Sequence, residues 1–290
     1  MWEGVLMTAN NLILNRLFTQ NVFQNLINNN DNTTYGMIVK RYVTDTKAKN
    51  NGELISEIYN FMSKSYRNQY FYQNTLLNRL LLGKHSVNTT TALAQIPVGK
   101  SKADFILING KAVVYEIKTE LDSFDRLNTQ LRDYYKAFNH VCVVTSENQF
   151  GKISEILQNT PVGIYVLTKK NTISTSLKKE PAEDNLHLNH LAIFKVLRKN
   201  EYERIIKKYF GQLPVASQVF YFDECFSLFA KIPIEKAYAM SINELKIRNK
   251  IVFNFFQNVP YELKSLMYFS NPSIRDFDAL TRFLNNRFGG

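Results

Sequence analysis

Cysteine is almost missing: the 290-residue chain has two, Cys142 and Cys225. They lie far apart inside apolar runs, so they cannot assemble a zinc cluster by themselves and read as buried thiols of a reducing cytoplasm. No apolar stretch approaches the roughly 18 residues that a membrane span needs, which excludes a spanning protein. The start, Met1-Trp2-Glu3-Gly4, lacks the basic region and apolar run of a signal peptide. Seven prolines and eleven glycines, with 45% hydrophobic residues, leave an ordinary globular balance and enough apolar side chains for a sizeable core.

Acidic residues are outnumbered. Lys and Arg total 36 against 25 Asp and Glu, a formal charge of +11. Such a balance favours a polyanionic partner, with nucleic acid first among them. Residues 181–290 carry 15 basic and 11 acidic side chains and the first 180 residues carry the rest of the excess. No lysine-rich tail holds the charge, so it belongs on folded surface.

The order of elements points to an α/β protein. Leu12, Leu14, Leu17, Phe18, Val22 and Leu26 recur at helical spacing, residues 36–51 read as a polar loop or a short extended piece, and Leu54, Ile58, Phe61 and Met62 form a helix face. A helix over 68–82 is closed by Gly83. Strands are expected over 92–98, 103–108 and 111–118, then a helix over 123–138, a strand over 140–145, a helix at 153–157 and a strand over 163–167. That order implies a mixed central sheet. Residues 169–185 read as a polar linker, and helical spacing returns at 191–198, 201–210, 216–229 and 234–256. Three parts are expected: a helical extension over 1–65, an α/β core over 66–178 and a C-terminal helical domain over 186–290.

The chemistry concentrates in residues 102–118. Asn109-Gly110 between two apolar runs is a hairpin signal. Such a hairpin brings Asp104, near the start of one strand, to Glu116 and Lys118, near the end of the next. A strict two-residue turn would pair Asp104 with Tyr115 and face it away from Glu116. An odd loop, such as Ile108-Asn109-Gly110 with Gly110 left-handed, pairs Asp104 with Val114 and sets Asp104, Glu116 and Lys118 on one face. Charged groups in apolar strands are costly unless paired or holding a cation. Two carboxylates make a hard oxygen site for magnesium, or manganese, with a backbone carbonyl at Ile117, water and substrate phosphate completing the shell. Lys118 is placed to orient an attacking water and to stabilise phosphate charge.

These residues resemble the PD-(D/E)xK nuclease superfamily: Asp104 stands for its first acid and Glu116-Ile117-Lys118 for its E-x-K motif. Arg126, Gln130 and Tyr134 share one helical face, and Gln130 with Tyr134 resembles the Q-x-x-x-Y element of the RecB-like branch, where these side chains flank the substrate. The resemblance covers residues 66–146 and extends to a group of small bacterial proteins with this core. It implies a restriction-endonuclease-like α/β core and a magnesium-dependent nuclease with catalytic Asp104, Glu116 and Lys118. Its metal ligands would be Asp104, Glu116 and Ile117, and its substrate contacts Gln130, Tyr134 and Arg126. DNA is the expected substrate and a phage, mobile-element or defence setting the expected context.

Departures qualify this. Where that family often carries a glutamate on the helix before the strands, this chain has Asn74 and Asn78. His85 is an extra-ligand candidate, although a surface histidine after a helix end is the simpler reading. Gln95 is a candidate for the same face as the acids. Asp122 is expected to cap the start of the following helix, with Glu120 beside it. Tyr66, Tyr70, Phe71 and Tyr72 near Arg67 offer either a stacking platform or, more simply, buried core. Basic clusters at Arg198-Lys199, Lys207-Lys208 and 246–250 are phosphate grips or ordinary solvated faces. The rival reading is a nuclease-fold DNA-binding or regulatory protein without turnover, and a third is a module whose basic face binds an acidic protein partner; the C-terminal helical domain is expected to supply substrate or protein-partner contacts.

Overall fold

The computed structural model describes residues 11–29, 32–83, 89–248 and 253–289. They group into two compact units: Met1–Lys84 with Ile251–Gly290, and His85–Lys250. The expected boundaries at 65 and 186 therefore differ from the spatial ones, which cut near 84 and 250. Among the described residues no helix is long and apolar enough to cross a membrane.

The first unit is helical: α1 (Leu14–Leu17), α2 (Gln20–Asn29), α3 (Thr33–Tyr42), α4 (Asn51–Ser65) and α5 (Gln69–Leu76), which runs on into a wider π-helical turn over Leu77–Leu82. Helix α3 takes the first part of the polar loop or short extended piece expected over 36–51, and residues 43–50 remain irregular apart from an isolated bridge of Asn50 to Arg287. Tyr35, Ile38 and Val39 are buried on one face of it, and the Asn32 side chain accepts the Thr34 and Tyr35 backbone N–H groups at 2.9 and 3.3 Å. The chain returns to this unit at its end: the Asn51 N–H donates to the Asn286 carbonyl at 2.9 Å, and the Asn51 side chain to that of Phe283 at 3.0 Å. Asn74 is fully buried here. Its amide donates to the Tyr59 hydroxyl and the Tyr261 carbonyl and accepts from the Ser265 N–H, each at 2.9 Å. Tyr66, Tyr70, Phe71 and Tyr72 are buried, which settles them as core and not as a stacking platform.

The second unit is α/β. A six-stranded mixed sheet runs in the order β1 (Thr91–Val98), β2 (Ser101–Asn109), β3 (Lys111–Ile117), β4 (Val141–Ser146), β5 (Gly163–Leu167) and β6 (Ile173–Lys179). The β3–β4 and β4–β5 pairs are parallel and the others antiparallel. Parallel neighbours need a crossover; α6 (Leu127–Tyr135) supplies the first and α7 (Phe150–Ile156) the second. Ile106, Ile108, Ala112 and Val114 pack with Leu127, Leu131 and Tyr134 of α6. Alternation sends Phe105 and Tyr115 to the other face, where Tyr115 meets both Phe105 and Tyr165 edge-on at 5.9 and 5.6 Å.

Strand β6 overturns the expectation of a linker over 169–185. Its Ser, Thr and Lys residues are those of an edge strand with a wet face, and Lys178 lies 4.4 Å from the Tyr165 ring centre. The segment after it closes over Gly163, where an added Cβ would come within 2.6 Å of the Pro181 nitrogen and 2.9 Å of the Lys179 carbonyl oxygen. Gly163→Ala is therefore expected to lower stability by about 1–3 kcal/mol, the usual penalty of overpacking, read as a drop in the denaturation midpoint. An unchanged midpoint would show that residues 179–181 do not press on β5.

Helices α8 (His190–Val196), α9 (Lys199–Phe210), α10 (Tyr221–Phe229) and α11 (Ile234–Lys246) complete this unit. Phe194, Ile206, Phe229 and Leu245 join the same core as the sheet, so residues 190–246 do not stand apart as a helical domain. A nearly buried ion pair joins Arg248 to Glu201 at 2.5 Å. Both cysteines are free and buried.

Candidate active site

The β2–β3 hairpin sets the site. Pairing runs from Phe105 with Tyr115 down to Asn109 with Lys111, and Gly110 alone bridges the strands at φ +71°. A left-handed residue there suits glycine. The loop is odd, as parity requires, but tighter than the three-residue version: continuing the register places Asp104 opposite Glu116 and not opposite Val114. The same-face consequence is unchanged, because the shift is two residues.

On β1, pairing passes from Ala94–Phe105 to Ile96–Ala103 and skips Gln95, whose φ is +57°. A left-handed glutamine inside a strand stores strain of about 1–3 kcal/mol, and such outliers gather at functional sites. Its side chain donates to Asp104 Oδ1 at 3.3 Å. Periodicity carries no trace of this kink, so the sequence could name Gln95 only as a candidate.

Glu116 is 1% exposed and Lys118 8%. Around them the expected helix partners converge. Glu116 Oε1 accepts from Gln130 Nε2 at 2.5 Å and lies 3.1 Å from Lys118 Nζ; its Oε2 accepts from the Tyr134 hydroxyl at 2.6 Å. Lys118 Nζ donates to Gln130 Oε1 at 2.8 Å. The amide of Gln130 thus has one orientation, oxygen to the ammonium and nitrogen to the carboxylate. The Ile117 N–H donates to Asp104 Oδ2 at 3.0 Å, which fixes the Asp104 carboxylate to the backbone of β3 beside Glu116. Helix α6 is held in place by Asp133, whose carboxylate accepts the Lys100 N–H at 3.1 Å and the Ser101 hydroxyl at 2.8 Å at the β1–β2 turn.

Arg126, Asp122 and Glu120 fall outside this cluster. Arg126 sits exposed at the N-terminal boundary of α6 and joins none of these bonds. Asp122 closes the turn at Thr119, accepting its N–H and hydroxyl at 2.8 Å; it does not cap the helix, which begins at Leu127 and not at 123. Glu120 is exposed. Asn74 and Asn78 belong to the helical unit, and His85 lies outside the described residues.

Burial, with Glu116 nearby, pushes the Asp104 carboxyl up to about 7, against the Ile117 N–H, Lys118 and Gln95. Burial also raises Glu116, opposed by Tyr134, Lys118 and Gln130. Two poorly solvated carboxylates thus share one ammonium, an arrangement that a divalent cation would relieve. Among the described residues no three His, Cys, Asp or Glu side chains gather as a metal cluster. The donor set is two carboxylates, which suits a hard, oxygen-seeking ion that keeps several waters and does not suit zinc.

The Tyr134 hydroxyl has one proton, and its charge-assisted contact with Glu116 is shorter than its 2.9 Å contact with the Lys102 carbonyl. Tyr134→Phe is expected to destabilise the fold by about 1.5–3 kcal/mol, the range for a hydrogen bond to a charged group, and to raise the Glu116 carboxyl further. Urea unfolding checks the first effect; no change in midpoint would mean that the hydroxyl does not hold Glu116.

The family model of bacteriophage P4 protein cII matches residues 62–279. No curated protein and no solved structure matches the chain. The expected membership of the PD-(D/E)xK superfamily is thereby corrected, since the match falls to the phage family and to no nuclease family. The motif residues behind that expectation lie within 104–134, whereas the match extends through the C-terminal helices of the sheet unit and beyond.

Proposed function

We propose for this chain, which belongs to the family of bacteriophage P4 protein cII, a function as a divalent-metal-dependent hydrolase of phosphodiester bonds in nucleic acid, with DNA as the substrate. One observation carries the reading: Asp104 accepts the Ile117 N–H across the hairpin at 3.0 Å, next to Glu116, and Lys118 lies 3.1 Å from Glu116.

Asp104 and Glu116, with the Ile117 carbonyl, would hold magnesium or manganese. Such an ion, when bound, supplies positive charge that polarises a phosphate oxygen. Lys118 would then place its ammonium against the scissile phosphate and orient the attacking water. Gln130 fixes the direction of that ammonium through its 2.8 Å bond, and Tyr134 holds Glu116 in one rotamer. The net charge of +11 draws a polyanion to the surface, with an affinity that falls as salt rises.

A second reading, a nucleic-acid-binding or regulatory protein without turnover, is favoured by the closed Lys118–Glu116 ion pair and by Asn74, fully committed inside the helical unit. Incubating circular and end-labelled linear DNA with the full chain separates the two. Nicked or shortened products with magnesium or manganese and intact DNA in EDTA support the hydrolase. DNA that is retained on the protein yet uncut under every metal condition supports the second reading.

A further inference from the structure

Strand β1 lies at one edge of the sheet and carries a residue out of keeping with a strand. Among the described residues three that are not glycine have a positive φ: Gln95, Asn171 and Asn271. The two asparagines sit in connections between elements, and asparagine tolerates the left-handed region better than most side chains. Gln95 alone of the three lies within a strand, at φ +57°.

Two ordinary causes of a kink do not apply. Register is the same on both sides, with Ala94 opposite Phe105 and Ile96 opposite Ala103, so no extra residue is inserted and Gln95 stands across from Asp104. Pro97 restricts Ile96, the residue before it, and is itself in register with Lys102. What the kink accompanies is a contact. The Gln95 amide nitrogen donates to Asp104 Oδ1 at 3.3 Å, while the Ile117 N–H donates to Oδ2 at 3.0 Å. One donor on each oxygen fixes the plane of the carboxylate. Burial pushes this carboxyl up, and Gln95 is among the groups that favour its ionised form, the form that a cation needs.

We propose that Gln95 is a positioning residue for the cation site: the left-handed conformation of β1 aims the Gln95 amide at Asp104, so that the kink lowers stability and raises metal affinity. The inference rests on the reading of Asp104 and Glu116 as carboxylate ligands of magnesium or manganese. A carboxylate has about four acceptor positions, so donors can orient it while a cation binds. Groups that orient a ligating carboxylate in this way typically contribute about 10- to 100-fold in metal affinity. Gln95 acts through Asp104 and is not itself assigned as a ligand.

The test is calorimetric titration of the full chain with magnesium, paired with thermal denaturation in EDTA, on the parent, Gln95→Gly, Gln95→Asn and Asp104→Asn. Gln95→Gly removes the amide and suits a left-handed backbone. It should bind magnesium about tenfold more weakly and yet melt about 2–4 °C higher without metal. Gln95→Asn also suits that backbone, but its amide falls one methylene short of Asp104. It should melt no lower than the parent and lose affinity as the glycine variant does. A side chain that only braced the sheet would move stability and affinity down together. A Gln95→Gly protein that melts below the parent, or magnesium affinity undiminished in both Gln95 variants while Asp104→Asn loses it, would overturn the inference and leave the carboxylate site standing. A parent that takes up no magnesium would overturn the site and the inference with it.

Discussion

Lys118→Met is expected to keep magnesium binding intact or slightly tightened and yet lose about two to three orders of magnitude in cleavage rate, the scale of one preorganised electrostatic group. The two halves of that outcome have separate causes. The ammonium of Lys118 lies 3.1 Å from Glu116 Oε1 and competes for an oxygen that a cation would use; methionine removes the competitor while filling similar space. The same change would remove the positive charge proposed to meet the phosphate, and it frees the Gln130 carbonyl that Lys118 now engages. Asp104→Asn behaves oppositely: it keeps volume but removes charge from the hard-cation site, so magnesium binding and cleavage should both go. Calorimetric titration with magnesium and single-turnover cleavage, run on the same preparations, read the two effects. A Lys118→Met protein that cleaves at the parental rate would remove the lysine from the mechanism.

Metal-free protein is expected to be destabilised by its own carboxylates as the pH rises. Asp104 has an ordinary value of 3.8 in the unfolded chain and is pushed up to about 7 in the folded one. Between those values the folded state holds the proton that the unfolded state has released, so stability is greatest below the lower value and falls as pH climbs through the upper one. Glu116, raised by burial, acts in the same direction. Other groups titrate too, so the informative quantity is the difference between parent and Asp104→Asn in EDTA. It should grow in favour of the variant between about pH 4 and pH 7, reaching on the order of 2 kcal/mol after allowance for solvent around Asp104. Magnesium should restore the parent and leave the variant unmoved. Denaturant midpoints across this range check it; a parent that outstrips the variant as the pH rises in EDTA contradicts the assignment of a strained acid pair.

Parts of this site were legible because strand and helix periods are strict. Asn109-Gly110 between apolar runs announced the hairpin, and parity then required an odd loop if Asp104 was to share a face with Glu116; Gly110 at φ +71° provides it. Four-residue spacing set Gln130 and Tyr134 on one helical face, and both reach Glu116. Arg126 obeys the same spacing but falls before the first turn of α6, where the side chain opens to solvent.

What stayed hidden has physical reasons. β6 reads as polar because an edge strand has a wet face, and α3 reads as a loop because only Tyr35, Ile38 and Val39 mark its buried side. The division into units depends on contacts such as Asn51 with Asn286, between residues far apart in the chain, which no local pattern announces. The Gln95 kink is a backbone event with no compositional signature. A handful of motif residues also matches a nuclease pattern more readily than it establishes a lineage, and the family is read from residues 62–279 as a whole.

The central claim, that Asp104, Glu116 and Lys118 form a metal-dependent phosphodiester-cleaving site, is tested most directly by one comparison. Parent and Glu116→Gln, purified in parallel and free of contaminating nuclease, are incubated with labelled DNA in magnesium and in EDTA, with DNA retention measured alongside. The parent should cleave in magnesium alone, and Glu116→Gln should bind DNA as well as the parent, through the dispersed basic surface, but leave it uncut. Equal cleavage by both proteins, or cleavage by the parent that persists in EDTA, would contradict it.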